Sequence, residues 1–177
     1  MTEDEFWTLI EDARRSSGGD IARQVLLLSE HFEATRSVEE LLAFRDRWDE
    51  AERRLFAWPV WDAACVLLGF VSDDFFGDVR GWIISHGREV VQSVAADADS
   101  LVELAHDVSG ANSDAVEDLG CLVDHLWEEF TGNEDVPESE GEWNLAGQQI
   151  DLRDLAVVRS VFPRLVAFRE QSGSHLA

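Results

Sequence analysis

The chain has no tyrosine, one methionine, two cysteines, three prolines and few cations, with fourteen Lys plus Arg against thirty-seven Asp plus Glu. A formal charge of -23 repels nucleic-acid phosphates and anionic lipid surfaces, so direct binding to either is not expected. Cys65 and Cys121 stand far apart in apolar, helix-like segments without a CxxC spacing, which predicts reduced, buried thiols and no disulfide framework. No apolar run approaches the roughly 20 residues that span a bilayer. The opening MTEDEFWTLIEDARR has no basic leader ahead of an apolar core, so a secretory signal is not expected and the chain reads as cytoplasmic.

Catalytic signatures are also missing. There is no phosphate loop with GK[ST], no GxGxxG, no HExxH, no GxSxG and no EF-hand loop. The five histidines, His31, His86, His106, His125 and His175, never pair at i,i+3 or i,i+4. His106/Asp107 and Asp124/His125 could combine across helices at a metal, but neighbours on a helix point about 100° apart and chelate poorly. Glu11-Asp12 and Glu128-Glu129 are adjacent carboxylates whose side chains splay in the same way. No metal, no cofactor and no catalytic residue is expected.

What the chain does contain is aromatic and helical. Seven tryptophans and ten phenylalanines predict a rigid core, since each ring buries a large area. Thr2 and Glu5 form a capping-box pattern ahead of Phe6, Leu9, Ile10 and Ala13, and Asp20 caps a stripe of Ile21, Val25, Leu28 and Phe32. Ser37 and Glu40 open a long surface-lying helix with Leu41, Phe44, Trp48 and Leu55 inward and acid-before-base spacing at Asp49/Arg53 and Glu50/Arg54. Trp58-Pro59 forces a turn, and Trp61 to Leu68 predicts a central helix closed by Gly69. Arg88 to Ala96 continues helically, Ser100 and Glu103 suggest a third capping box, and residues 110–113 read as a loop. One helix is expected from Val116 to Phe130, and a last one from Leu152 to Val161, kinked at Phe162-Pro163. With no period-2 strand pattern, the chain reads as an all-α, single-domain irregular bundle over residues 1–177, of about seven to eight helices. Residues 133–147 form an acidic loop or flap within it, with Trp143 as its one large anchor, and a very short strand pair is allowed for near 143–150.

One stretch, SDDFFGDVRGWIISHGRE (Ser72 to Glu89), carries an acid pair, an arginine and a tryptophan on an apolar frame. Ser72 suits an N-cap, and Asp73 and Asp74 suit the positive end of a helix dipole. Arg80 is not explained by capping. An arginine flanked by apolar residues wants a carboxylate, and Asp62, Asp73 or an acid from the 117–129 helix are the candidates. The functional reading places Asp73, Asp74, Arg80 and Trp82, with Trp58, Trp61 and Arg88, around a polar pocket for a small ligand or a partner's side chain.

Several blocks resemble the bacterial, actinobacteria-rich family known as domain of unknown function 4240. They are Phe6-Trp7-Thr8-Leu9-Ile10, Ser37-Val38-Glu39-Glu40, the segment Trp58 to Ala64, Ser72-Asp73-Asp74, Phe76, Arg80-Gly81-Trp82-Ile83-Ile84, Gly87-Arg88 and the closing Phe162-Pro163-Arg164-Leu165. Cys65 stands where the family pattern suggests tyrosine, Val79 where it suggests phenylalanine, and Trp127 near an expected alanine-tyrosine. The resemblance implies a fold and no activity. The charge and the missing motifs point to an acidic, non-enzymatic binding module, of regulatory or immunity/antitoxin type, for a basic protein partner. The rival is a small-ligand protein or enzyme with its pocket at the SDD to RxW helix, with His86 or His125 added.

Overall fold

A computed structural model describes residues 1–111, 114–137 and 139–173. Eleven α-helices occur among the described residues: α1 (Glu3–Ser17), α2 (Ile21–Thr35), α3 (Val38–Leu55), α4 (Trp58–Leu68), α5 (Asp73–Ser85), α6 (Arg88–Ala96), α7 (Val108–Ala111), α8 (Asp114–Gly120), α9 (Leu122–Thr131), α10 (Leu155–Val161) and α11 (Pro163–Gln171). A 3-10 helix, Ala98–Asp107, lies between α6 and α7. The fold is all-α, with more helices than the seven or eight read from the sequence.

The extra helices arise where one apolar stripe is cut by backbone geometry. The predicted Val116 to Phe130 helix is broken at Cys121, directly after Gly120, whose missing side chain favours a local unwinding. The Leu152 to Val161 helix starts later than expected, because the Asp154 carboxylate accepts from the amides of Ala156 and Val157 and sets the first turn there. The Phe162-Pro163 kink separates α10 from α11 as expected. Ser100 and Glu103 do not cap a helix: Asp97 caps the 3-10 segment and Ser100 is buried inside it. Of the expected 110–113 loop, Gly110 and Ala111 close α7, and Asn112 and Ser113 lie outside the described residues, as does His175.

The caps read from sequence are formed. Thr2 Oγ1 accepts from the Glu5 amide while Glu5 reaches back to the Thr2 amide, Asp20 accepts from Arg23, and Ser37 and Ser72 accept from Glu40 and Phe75. On α2 the buried face is Ile21, Gln24, Leu28 and Phe32, so a polar residue takes the central position expected for Val25. Gln24 is fully enclosed and its side-chain amide donates to the carbonyls of Ile10 (3.3 Å) and Ser85 (3.2 Å), tying α1, α2 and α5 together. Neither expected pairing along α3 forms its main contact: Arg54 reaches Glu3 at 2.7 Å and Glu50 is held by Arg47 at 2.8 Å. Cys65 and Cys121 are free and only partly buried, a correction to the expectation of enclosed thiols, although burial does push both thiol pKa values up and keeps them protonated.

Helix α5 runs through the middle of the molecule. Phe76, Val79, Trp82, Ile83 and Ile84 are fully buried, and the helix packs against α1, α3, α4, α6, α7 and α8. The 3-10 helix bridges α4, α6 and α11. No helix among the described residues is long and apolar enough to cross a membrane.

Between α9 and α10 the described residues form no helix or named strand, and they lie over the end of α3 and the start of α4. A single parallel bridge joins Ala57 to Ala146, with Trp58 N–H donating to Ala146 at 2.8 Å and Ala146 N–H donating to Phe56 at 3.1 Å. This one-residue bridge is all that forms, among the described residues, of the strand pair allowed for near 143–150. Farther on, the buried Asp62 carboxylate accepts from the Ile150 amide at 2.9 Å and holds the segment leading to α10. Burial raises the Asp62 pKa, and that hydrogen bond opposes the shift.

Candidate functional site: an arginine in an aromatic cage beneath the flap

Arg80 projects from the buried face of α5 toward the last turn of α3. Its Nη2 lies 3.4 Å from Glu52 Oε2, and both side chains are largely enclosed, 11% and 16% exposed. The carboxylate that Arg80 meets is therefore Glu52 on α3, and none of the three candidates read from sequence. Glu52 lies one residue past the inward Ala51 and one turn beyond Trp48, at the border of the apolar stripe. The stripe on α3 was legible, but which border acid turns inward depends on where α5 crosses it.

The guanidinium is also walled by rings. Its central carbon lies 4.9 Å from the ring centroids of Phe56 and Phe76 and 5.8 Å from that of Trp143. Phe76 continues into a stack with Trp61 (4.6 Å, 18°) and then Trp58 (5.3 Å, 19°), while Trp143 meets Phe56 edge-on at 5.9 Å. A delocalised, weakly hydrated guanidinium suits such a cage better than an ammonium would. Sequence reasoning identified Arg80, Trp58 and Trp61 but missed Glu52 and Phe56. It noted Trp143 as the flap's anchor without assigning it to Arg80.

The other residues of the expected pocket are elsewhere. Asp73 and Asp74 are exposed in the first turn of α5. Trp82 is fully buried on α5 and packs edge-on against His86 at 5.6 Å. Arg88 ties α6 to α1: its Nη2 is 2.6 Å from Asp4, and its backbone amide donates to Glu11 at 3.1 Å. Arg80, Trp61 and Trp58 thus share one cluster with Phe76, while Asp73, Asp74, Trp82 and Arg88 make the contacts just described away from it.

Beside the Arg80–Glu52 pair is a cavity of about 200 Å3 whose lining includes Trp48, Asp49, Glu52 and Asp124. Burial raises the pKa of both Asp49 and Glu52; Ser139 and the neighbouring arginines oppose the shift at Asp49, and Arg80 opposes it at Glu52. The folded chain thus binds protons at these two carboxylates more tightly than the unfolded chain does. Their ionisation weakens the fold as pH rises from the ordinary carboxylate range through their raised folded values. We predict that Asp49→Asn, which removes one such ionisation, stabilises the chain by roughly 0.5 kcal/mol near neutral pH and loses that gain as pH approaches 4. Thermal melts of both proteins across pH test this, and a pH-independent difference would refute it.

Among the described residues, His86 is the one histidine whose side chain is enclosed. Its Nδ1 lies 2.8 Å from the Trp82 carbonyl and its Nε2 3.2 Å from Asp107 Oδ2. Burial lowers its pKa, the Trp82 carbonyl opposes that, and Arg14 lowers it further. Ser85 Oγ also lies 3.3 Å from Nδ1, but Ser85 is fully buried and its hydroxyl donates to the same Trp82 carbonyl at 2.7 Å. With Nδ1 donating to that carbonyl, the neutral ring can only accept at Nε2, where it faces the Asp107 carboxylate. His106 and His125 are exposed, and among the described residues no three His, Cys, Asp or Glu side chains are placed to hold a metal ion.

Residues 1–129 match the family described as protein of unknown function (DUF4240). The chain belongs to that family. Glu52, Phe56, Trp58, Trp61, Phe76 and Arg80 all fall within the matched part, so the ion pair and most of its cage lie in the family's own segment. The match covers most of the chain, as the resemblance implied, and Trp143 and the closing Phe162-Pro163-Arg164-Leu165 lie beyond it. No curated protein and no solved structure matches the chain.

Proposed function

We infer that the protein is a non-enzymatic, cytoplasmic binding module, of regulatory or immunity/antitoxin type, that receives a basic segment of a protein partner. The observation that carries this reading is a groove of about 750 Å3 with a largely apolar floor that five carboxylates border: Asp4, Glu5, Asp12, Glu39 and Glu40, beside Met1, Thr8, Leu9 and His31. It lies where α1 meets α2 and the start of α3. His31 in the groove pairs with Glu40 at 3.1 Å, and Asp4 takes Arg88. Asp12 and Glu39 are exposed, and among the described residues Asp12 pairs with Arg15 of its own helix. A concave surface with this excess of negative charge, on a chain of formal charge -23, favours lysine- and arginine-rich segments and speeds their encounter. The charge equally disfavours nucleic acid and anionic membrane as partners.

Affinity purification of the tagged full chain from its native host is expected to return a stoichiometric basic protein at low salt. Asp12→Asn combined with Glu39→Gln should weaken that complex roughly ten-fold and flatten its salt dependence. Recovery of no basic partner at low or moderate salt would overturn the assignment.

A further inference from the structure

We propose that Phe70, the recess beside it and helix α10 form a self-association surface, on which a second copy of this chain seats its Phe70 ring in the recess and receives the first copy's ring in return. The surface is built on other elements than the acidic groove. Phe70 stands between α4 and α5 and is 85% exposed, more than any other large apolar side chain among the described residues. Its outward position is fixed from both sides. The Gly69 amide donates to the Cys65 carbonyl at 2.9 Å, and Val71 is buried, its carbonyl accepting from the Trp61 indole at 2.9 Å. With Val71 turned inward, the neighbouring ring faces out.

The recess has a volume of about 300 Å3 and is lined by Cys65, Val66, Leu152, Leu155 and Val158, with Phe70 bordering it. Among the described residues that line it, Arg169 is the one charged group and none is acidic. A cavity of about 150 Å3 already accepts a benzene ring, so this recess has room for a phenyl side chain. Helix α10 extends the surface: of its residues LAVVRSV only Val158 is buried, while Leu155, Ala156, Val157 and Val161 are exposed. Isolated apolar side chains on a surface are ordinary, but a ring, a hollow and an uncovered apolar helix that meet at one recess mark an interface.

Three arguments make the occupant a second copy. A two-fold contact joins the same patch of both chains, so that patch must carry both a projection and the hollow it fills. Phe70 and the recess meet this condition side by side. Charge points the same way. A formal charge of -23 drives copies apart, yet residues 152–171 reverse the balance, with Arg153, Arg159, Arg164 and Arg169 against Asp154 and Glu170. Two copies can therefore approach on this face with few carboxylates between them. The area sets the strength: one ring per copy, burying roughly 150–250 Å2, with Leu155 and the rim, falls well short of the ~1,600 Å2 of a standard interface and gives a weak dimer, with Kd on the order of 10–100 μM.

Sedimentation equilibrium of the full chain tests this. The mass should rise from 19.9 kDa toward twice that value as concentration passes through on the order of 100 μM. Raising the salt should tighten the dimer several-fold, because screening removes the repulsion between two strongly acidic chains. A complex at the acidic groove weakens with salt instead, so the two assignments fail separately. Phe70→Ser, at an exposed position, should leave the fold intact and keep the chain monomeric over the same range. Leu155→Asp, which sets a carboxylate at each recess, should do the same and serves as the second variant. A monomer at every concentration and salt would overturn the proposal. A dimer that survives Phe70→Ser would overturn it too, by placing the contact on another face. So would a dimer that dissociates as salt is added, since its contact would then join one copy's carboxylates to the other's arginines.

Discussion

Arg80→Met is expected to lower the unfolding free energy by about 3–5 kcal/mol, the range for stranding one partner of a buried ion pair. Methionine keeps much of the side-chain volume among Phe56, Phe76 and Trp143, so most of the loss comes from leaving Glu52 enclosed without its cation, either charged at a desolvation cost or taking up a proton. The double variant Arg80→Met/Glu52→Gln should then be more stable than Arg80→Met alone, since removing the stranded charge removes its desolvation penalty. Urea denaturation of the four proteins in a double-mutant cycle reads the coupling directly, and a value below about 0.5 kcal/mol would mean the pair contributes little. Arg80→Lys should recover only part of the loss, because a compact ammonium cannot lie against the three rings as the planar guanidinium does.

The second large effect is expected at Asp99. This buried carboxylate on the 3-10 helix accepts from the amides of Arg164 (2.9 Å) and Leu165 (3.0 Å), so it caps α11 from a distant part of the chain. Pro163 begins that helix and has no amide hydrogen to satisfy, which leaves the next two donors for Asp99. Arg164 adds a 2.7 Å contact to Glu103 on the same 3-10 helix. Asp99→Ala should cost about 2–3 kcal/mol by removing two charge-assisted hydrogen bonds from an enclosed helix end. Hydrogen exchange should show protection lost first in Pro163–Gln171, while α1 and α2 keep theirs. Equal loss of protection throughout, or none in α11, would refute a capping role. The Pro-Arg-Leu block is thereby accounted for as the start of a helix whose cap lies more than sixty residues earlier.

These two cases mark the limit of what linear spacing can show. Thr2, Asp20, Ser37 and Ser72 were readable as N-caps because a cap and the amide it serves are two or three residues apart. Asp99 could not be read as the cap of α11, since nothing in the sequence near residue 99 refers to residue 164. Gln24 shows the same limit inside one helix: the period of α2 was correct, but its most buried polar residue was passed over in favour of Val25. A glutamine is admitted to such a position only because two carbonyls from other helices meet it there.

The stretch from Ser72 to Glu89 divides along the same line. Its helix, its cap and its buried face follow from local spacing, and so does the inference that Arg80 requires a carboxylate, because a buried guanidinium without a counter-charge is too costly to keep. Apolar spacing and cap positions likewise determined the all-α class, and composition the net negative charge. The crossing of α3 over α5 decided that the carboxylate is Glu52, and the return of the chain after α9 decided that Trp143 closes the cage. Side-chain periodicity is a property of neighbours along one helix, whereas ion-pair and ring partners are chosen by which faces pack together, and that choice exists only once the helices have assembled.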